Sequence, residues 1–180
     1  MGEQKMVTLT IDGKTATVPE GTNILEAAKT VGIRVPNFCY HPDLPWEGSC
    51  RMCLAQVGDW PKLTTTCTET ARDGMEVSFA DKKASTARDA QLEFLLVNHP
   101  LDCPICDQAG ECKLQDYYVE DGRHFSRMPR DLKVHKKKVV DLGDRIVLDK
   151  ERCVTCSRCV RFTRHISGSH ALQFFTRGVT

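Results

Sequence analysis

Two short stretches near the start of the chain alternate between apolar and polar residues. Met6-Val-Thr-Leu-Thr-Ile11 and Lys14-Thr-Ala-Thr-Val18 flank Asp12-Gly13. A period of two sets one face toward a core and the other toward water, and Asp-Gly is a strong two-residue turn signal, so residues 6–18 are predicted as a hairpin. Beyond Pro19 and Gly21 the period changes. Ile24, Ala27, Ala28 and Val31 share one helical face, Asn23 stands at the N-cap with Glu26 three residues on, and Gly32 stands where a C-terminal cap belongs. Leu54-Ala-Gln-Val57 and Met75-Glu-Val-Ser-Phe79 read as further strands. Two strands, a packed helix and later mixed strands make a β-grasp arrangement the expected architecture of residues 1–80.

The pattern then turns helical again. Asp81 is a candidate cap for a helix over 81–98, with Ala84, Ala87, Leu92, Leu95 and Leu96 on its apolar face and Pro100 as its stop. A second helix is expected from about Glu111 to Glu120, ending near Gly122. Residues 123–141 are rich in Arg and Lys and read as a solvated connector. Arg145-Ile-Val-Leu148 is expected as a short strand, 153–166 as a loop entering a helix, and Leu172-Gln-Phe-Phe175 as a last strand. Between these elements, residues 35–53 carry Pro36, Pro42, Pro45 and Gly48 and no period at all. A long loop without secondary structure of its own usually serves function.

Composition narrows the classes. The chain has 180 residues and a net charge of +1, which gives no general case for nucleic-acid binding. The start has no apolar segment of signal-peptide type, and Met6 stands where a myristoylation motif wants Ser or Thr. The longest clear apolar run, Phe94-Leu-Leu-Val97, is far short of a membrane span. A soluble, intracellular protein is therefore expected. Ten cysteines in such a chain point to metal or redox chemistry rather than to disulfides.

Every cysteine belongs to one of three groups. Cys39, Cys50, Cys53 and Cys67 form C-x10-C-x2-C-x13-C. A single C-x2-C knuckle with a lone cysteine on each side suits a [2Fe–2S] loop better than a zinc ribbon, which usually pairs two knuckles. Glu47-Gly-Ser49 supplies backbone N–H groups that could hydrogen-bond bridging sulfides. His99, Cys103, Cys106 and Cys112 form H-x3-C-x2-C-x5-C, with Pro100 and Pro104 forcing the chain to turn. Three thiolates and one imidazole suit zinc as well as iron–sulfur, so spacing leaves this group open. Cys153, Cys156 and Cys159 form C-x2-C-x2-C, the first three ligands of a bacterial [4Fe–4S] loop; the fourth position is Thr163, and no cysteine follows. His165 and His170 are weak candidates for that missing ligand. Arg51, Arg158 and Arg161 stand beside cluster cysteines and are candidates for tuning a potential.

These motifs carry a resemblance. Asn98-His-Pro-Leu-Asp-Cys-Pro-Ile-Cys-Asp-Gln-Ala-Gly-Glu-Cys-Lys-Leu-Gln-Asp116 resembles the one-histidine, three-cysteine signature of the large iron–sulfur subunit of NADH:quinone oxidoreductase, respiratory complex I. The first cysteine group resembles that subunit's [2Fe–2S] domain, and Arg152-Cys-Val-Thr-Cys-Ser-Arg-Cys-Val-Arg-Phe162 its next [4Fe–4S] segment. The resemblance covers essentially the whole chain. It implies an α+β fold: a β-grasp [2Fe–2S] ferredoxin-like domain at 1–80, followed by small, loop-rich [4Fe–4S] segments at 81–122 and 123–180. It implies one [2Fe–2S] cluster on Cys39, Cys50, Cys53 and Cys67. A [4Fe–4S] cluster would sit on His99, Cys103, Cys106 and Cys112. A second [4Fe–4S] cluster would take Cys153, Cys156 and Cys159, its fourth ligand coming from farther along a longer native chain or from another chain.

The function so implied is electron transfer. A flavin subunit oxidises NADH, and single electrons pass through the clusters toward quinone. Partners would be the flavin subunit and other peripheral-arm subunits, with no nucleic acid and no direct membrane span. The location would be cytoplasmic, at the inner face of the plasma membrane through those partners. The chain has neither a G-x-G-x-x-G fingerprint nor an acid–base constellation, so no self-contained catalytic site is expected. The alternatives are the electron-transfer subunit of an NAD-linked hydrogenase or formate dehydrogenase and, from another class, a zinc-stabilised interaction module.

Overall fold

The computed structural model describes residues 4–123 and 125–175. Its contacts divide the chain into two units, Met1–Gln91 and Leu92–Thr180.

In the first unit the expected hairpin forms. Strands β1 (Met6–Ile11) and β2 (Lys14–Pro19) pair antiparallel, with Val7 opposite Val18 and Leu9 opposite Ala16. Val7, Leu9, Ile11, Ala16 and Val18 are buried and their neighbours face outward, as alternation requires. Asp12 and Gly13 both adopt positive φ, the conformation that a tight hairpin turn matched to strand twist needs. The Asp12 carboxylate also accepts from Ser78 Oγ and from the Phe79 and Ala80 backbone N–H groups, which pins the turn to the strand that closes the sheet.

Helix α1 (Ile24–Thr30) buries Ile24, Leu25, Ala27 and Ala28. Asn23 Oδ1 accepts the Glu26 N–H at 2.8 Å, while the Glu26 carboxylate turns to Lys29 at 2.6 Å, so half of the capping box forms. Gly32, at φ +73°, donates to Lys29 O and Ile33 donates to Ala28 O, which is a Schellman C-cap. Strands β3 (Leu54–Val57), β4 (Thr64–Thr65) and β5 (Glu76–Ser78) complete a five-stranded sheet in the order β2-β1-β5-β3-β4. The parallel pairing of β1 with β5 and the helix packed beside the hairpin are the β-grasp arrangement.

Helix α2 (Lys82–Leu96) is capped by Asp81, whose carboxylate accepts from the Lys83 and Ala84 N–H groups. Its buried positions are Ala84, Arg88 and Leu92. Arg88 falls outside the apolar face that the sequence pattern outlines. Its guanidinium donates to Phe79 O at 2.9 Å and to Leu54 O at 3.3 Å, satisfying carbonyls at the ends of β5 and β3.

The second unit is sparse in regular structure. Helix α3 (Lys113–Asp121) buries Leu114 and Tyr117 and stops at Gly122. Strands β6 (Val140–Asp141) and β7 (Val147–Leu148) form a two-stranded ribbon, and helix α4 (Arg158–His165) follows the last cysteine loop. Leu172–Phe175 does not form the expected strand. Those residues have no regular structure and Phe174 and Phe175 are exposed. An apolar run becomes a strand only where another strand supplies hydrogen-bond partners, and among the described residues none lies beside it. No helix among the described residues is long and apolar enough to cross a membrane.

Candidate metal centres

The first unit gathers Cys39, Cys50, Cys53 and Cys67, all buried. Cys39 and Cys50 come from the irregular loop, Cys53 directly precedes β3, and Cys67 follows β4. Proline and glycine keep the loop out of helix and sheet, so its backbone is free to wrap inward. The thiols meet one another. Cys39 is hydrogen-bonded to Cys50 and Cys67, and Cys53 to Cys67. The bonds from Cys50 and Cys67 pull the Cys39 thiol down, and the bond from Cys67 lowers Cys53 to about 7. The same contacts, together with burial, push Cys50 and Cys67 up. Four buried thiols competing for protons are a site prepared to lose them to a metal.

The loop backbone supports this arrangement. Phe38 and Cys39 N–H groups point at Cys50 Sγ from 3.4 and 3.5 Å. Arg51 stands between the knuckle cysteines at φ +55°, exposed. Sequence reasoning missed Thr66, whose buried hydroxyl donates to Cys53 O at 2.8 Å, and Tyr40, whose hydroxyl accepts from Asn23. Burial raises the Tyr40 phenol to about 12, so it stays neutral. Polar residues flanking buried cysteines were the available signal for both.

Gly48 sits at φ +67°, and a Cβ there would lie 3.1 Å from Thr68 Cγ2 and 3.3 Å from Thr65 Oγ1. It lets the Cys50 loop approach the segment that carries Cys67. Gly48→Ala is expected to cost about 1–3 kcal/mol through positive-φ strain and crowding. Denaturant unfolding should show that loss, together with lower iron content in the first unit.

In the second unit His99, Cys103, Cys106 and Cys112 line one small cavity with Pro100, Asp102, Ala109, Gln115 and Arg152. The end of α2 delivers His99, a 3-10 turn at Cys103–Ile105 carries the first knuckle cysteine, and Cys112 is the N-cap of α3. The fourteen-residue pattern thus closes on itself, in keeping with its spacing. Burial, reinforced by the Lys133 ammonium, holds the His99 imidazole below its usual range, so it is neutral near pH 7. Lys133 Nζ donates to the carbonyls of Leu96 and Val97 at 2.8 Å and of His99 at 3.0 Å, capping α2 where three acceptors would otherwise lack partners. The basic connector is therefore not simply solvated: Lys133 and Lys138 are both engaged by the rest of the unit.

Cys153, Cys156 and Cys159 lie on the loop into α4, and Cys153 and Cys159 are exposed. Thr155 and Ser157 both take positive φ. The turn brings Thr155 N–H to 3.4 Å from Cys153 Sγ, and Arg158 Nε lies 3.5 Å from Cys156 Sγ. Arg161 is buried and bonds Ser157 Oγ. Thr163, where a fourth cysteine would stand, uses its hydroxyl on Val160 O, and His165 and His170 are exposed. Among the described residues no group of three or more His, Cys, Asp or Glu side chains forms a site for a single metal ion.

Three protein-family models match in succession. A 2Fe-2S iron-sulfur cluster binding domain matches residues 4–82, the NADH-ubiquinone oxidoreductase-G iron-sulfur binding region matches 88–127, and the ferredoxin-like domain of NADH-quinone oxidoreductase subunit 3 matches 143–180. The G-type subunit of the Streptomyces coelicolor NADH-quinone oxidoreductase is 41% identical over 97% of this chain and 21% of its own. The chain carries the iron–sulfur region of the NADH-quinone oxidoreductase-G family. The Mycobacterium tuberculosis member is also 41% identical, over 99% of this chain and 22% of its own length. The mitochondrial NADH dehydrogenase [ubiquinone] iron-sulfur protein 1 of Solanum tuberosum is 40% identical, over 97% and 23%. The chain thus spans about a fifth of the length of these curated relatives. Among solved structures, a chain of an NAD+-reducing [NiFe]-hydrogenase in the H2-reduced state shares the fold with a TM-score of 0.77. It is 28% identical, over 96% of this chain and 71% of that one. The matches account for a [2Fe–2S] site and [4Fe–4S]-type regions, which overrides a zinc-stabilised interaction module.

Proposed function

We propose that this chain is the electron-conducting iron–sulfur part of an NADH:quinone oxidoreductase. It would take single electrons from a flavin subunit that oxidises NADH and relay them toward quinone. The observation that carries this is the convergence of His99, Cys103, Cys106 and Cys112 on one cavity, in a chain whose other seven cysteines form two further groups. The donor sets fit iron–sulfur clusters: four buried thiols, one imidazole with three thiols, and three thiols on a positive-φ loop. The matches at 4–82, 88–127 and 143–180 support a partition into centres within 1–80, 81–122 and 123–180. When bound, the clusters supply one-electron redox chemistry that no side chain here offers.

Each residue has a task in that reading. Cys39, Cys50, Cys53 and Cys67 hold the [2Fe–2S] group, and burial excludes water from it. His99, Cys103, Cys106 and Cys112 hold a [4Fe–4S] group, the neutral imidazole leaving that site less negative than four thiolates would. Cys153, Cys156 and Cys159 hold a second [4Fe–4S] group whose fourth ligand comes from outside these 180 residues. The partners are the flavin subunit and other peripheral-arm subunits, placing the chain at the inner face of the membrane through them.

The hydrogenase likeness supports a second reading, the electron-transfer subunit of an NAD-linked hydrogenase. Identity of 41% against 28% favours the quinone enzyme. Anaerobic purification of the native protein, with iron and sulfide counts and electron paramagnetic resonance (EPR) during stepwise reduction, tests the proposal. One [2Fe–2S] and two [4Fe–4S] signals are expected in a complex that reduces quinone with NADH. A colourless preparation containing only zinc would sink it, and hydrogen uptake without quinone reduction would favour the second reading.

A further inference from the structure

Arg152 belongs in sequence to the third cysteine group, directly before Cys153. Its side chain belongs elsewhere. The guanidinium lines the cavity of His99, Cys103, Cys106 and Cys112. Nε and Nη2 reach Asp102 Oδ2 at 3.3 and 3.2 Å, and Nη2 lies 3.5 Å from Ile105 O, inside the turn between Cys103 and Cys106. Asp149, three residues upstream, holds Nε from the other side at 3.3 Å. Asp102 lines the same cavity and also takes Lys138, whose ammonium bridges to Glu151 at 2.8 Å. Glu151 is buried, and Arg152 keeps only a quarter of its side chain exposed. These charges are therefore poorly screened by solvent.

We infer that Arg152 and Asp102 are a matched pair of opposite charges that set the reduction potential at the His99 site. This deepens the proposed function and rests on a cluster binding there. Arg152 is a positioning residue, because its bonds also hold the turn that carries Cys103 and Cys106. Burial works against its charge, but Asp102, Cys106 and Asp149 outweigh burial and keep it protonated. Reduction adds one negative charge to the site. A neighbouring cation favours that state and a neighbouring anion opposes it.

The two charges therefore give opposite signs, which a purely structural role would not. The test uses the native protein, purified anaerobically with its own partners, and an EPR-monitored redox titration. The signal of this site is identified as the one that His99→Cys moves. Arg152→Gln is expected to shift its midpoint to a more negative value, Asp102→Asn to a less negative one, and Arg152→Lys to stay near the parent. Iron and sulfide content should stay at the parent level. Should Arg152→Gln fail to load iron, Arg152→Lys and Asp102→Asn carry the comparison. Shifts of one sign, or none, in loaded protein would overturn the inference. A parent that takes up no iron would overturn the proposed function, and this inference with it.

Discussion

Cys67→Ser is expected to abolish the [2Fe–2S] signal while leaving the [4Fe–4S] signals in place. Cys67 is the junction of the first site, hydrogen-bonded to Cys39 of the loop and to Cys53 at the head of β3. It arrives from beyond β4, so it ties the far end of the sheet to the irregular loop. It is fully buried within the apolar core. A serine oxygen is a harder ligand than thiolate and suits iron–sulfur chemistry poorly. It is also close in size and still able to hydrogen-bond, so the metal-free fold should lose only about 1–3 kcal/mol, the scale of a buried hydrogen-bonding group left imperfectly paired. Iron and sulfide analysis should show the loss of one [2Fe–2S] cluster's worth of each. The other centres lie on residues of the second unit, which has its own contacts, so their signals report that the change is local. Retention of the [2Fe–2S] signal at full strength would remove Cys67 from the ligand set.

The sites were more legible in the sequence than their surroundings, and the reason is locality. Spacing such as C-x2-C or H-x3-C acts over a few bonds, and the chain between His99 and Cys112 has little freedom once Pro100 and Pro104 restrict it. The hairpin of β1 and β2 was legible for the same reason: Asp12-Gly13 and a period of two determine it almost alone. What the sequence hid depends on distant partners. Strand β4 is two residues long and exists only because Leu54 and Ala55 pair with it. Arg88 reads as surface charge until two strand ends place carbonyls beside it. Leu172–Phe175 has strand composition and, among the described residues, no strand to pair with. Lys133 and Arg152 reach acceptors dozens of residues away, contacts that no local pattern encodes.

His99 is where ligand chemistry and local structure meet most directly. His99→Cys is expected to retain a four-iron centre and to move its midpoint to a more negative value. Two features favour retention. Lys133 fixes the backbone of residue 99 through its carbonyl, independently of the side chain. The site also keeps the turn and the α3 N-cap that present Cys103, Cys106 and Cys112. The shift follows from charge: a thiolate adds a full negative charge where the imidazole was neutral, and reduction must then add an electron against it. At about 4 Å and a surface-like effective dielectric, that repulsion is worth at most roughly 4 kcal/mol. With about 59 mV per 1.4 kcal/mol for a one-electron couple, the ceiling is about 170 mV. The nearby cations Lys133 and Arg152 offset part of it, so a shift of about 50–150 mV is the expected result of an EPR-monitored titration. His99→Ala serves as the contrast. It supplies no donor, and the four-iron signal should fall to a small fraction of the parent while the [2Fe–2S] signal persists. An unchanged midpoint in a fully loaded His99→Cys protein would show that His99 is not a ligand, and would turn attention to the other groups lining the cavity.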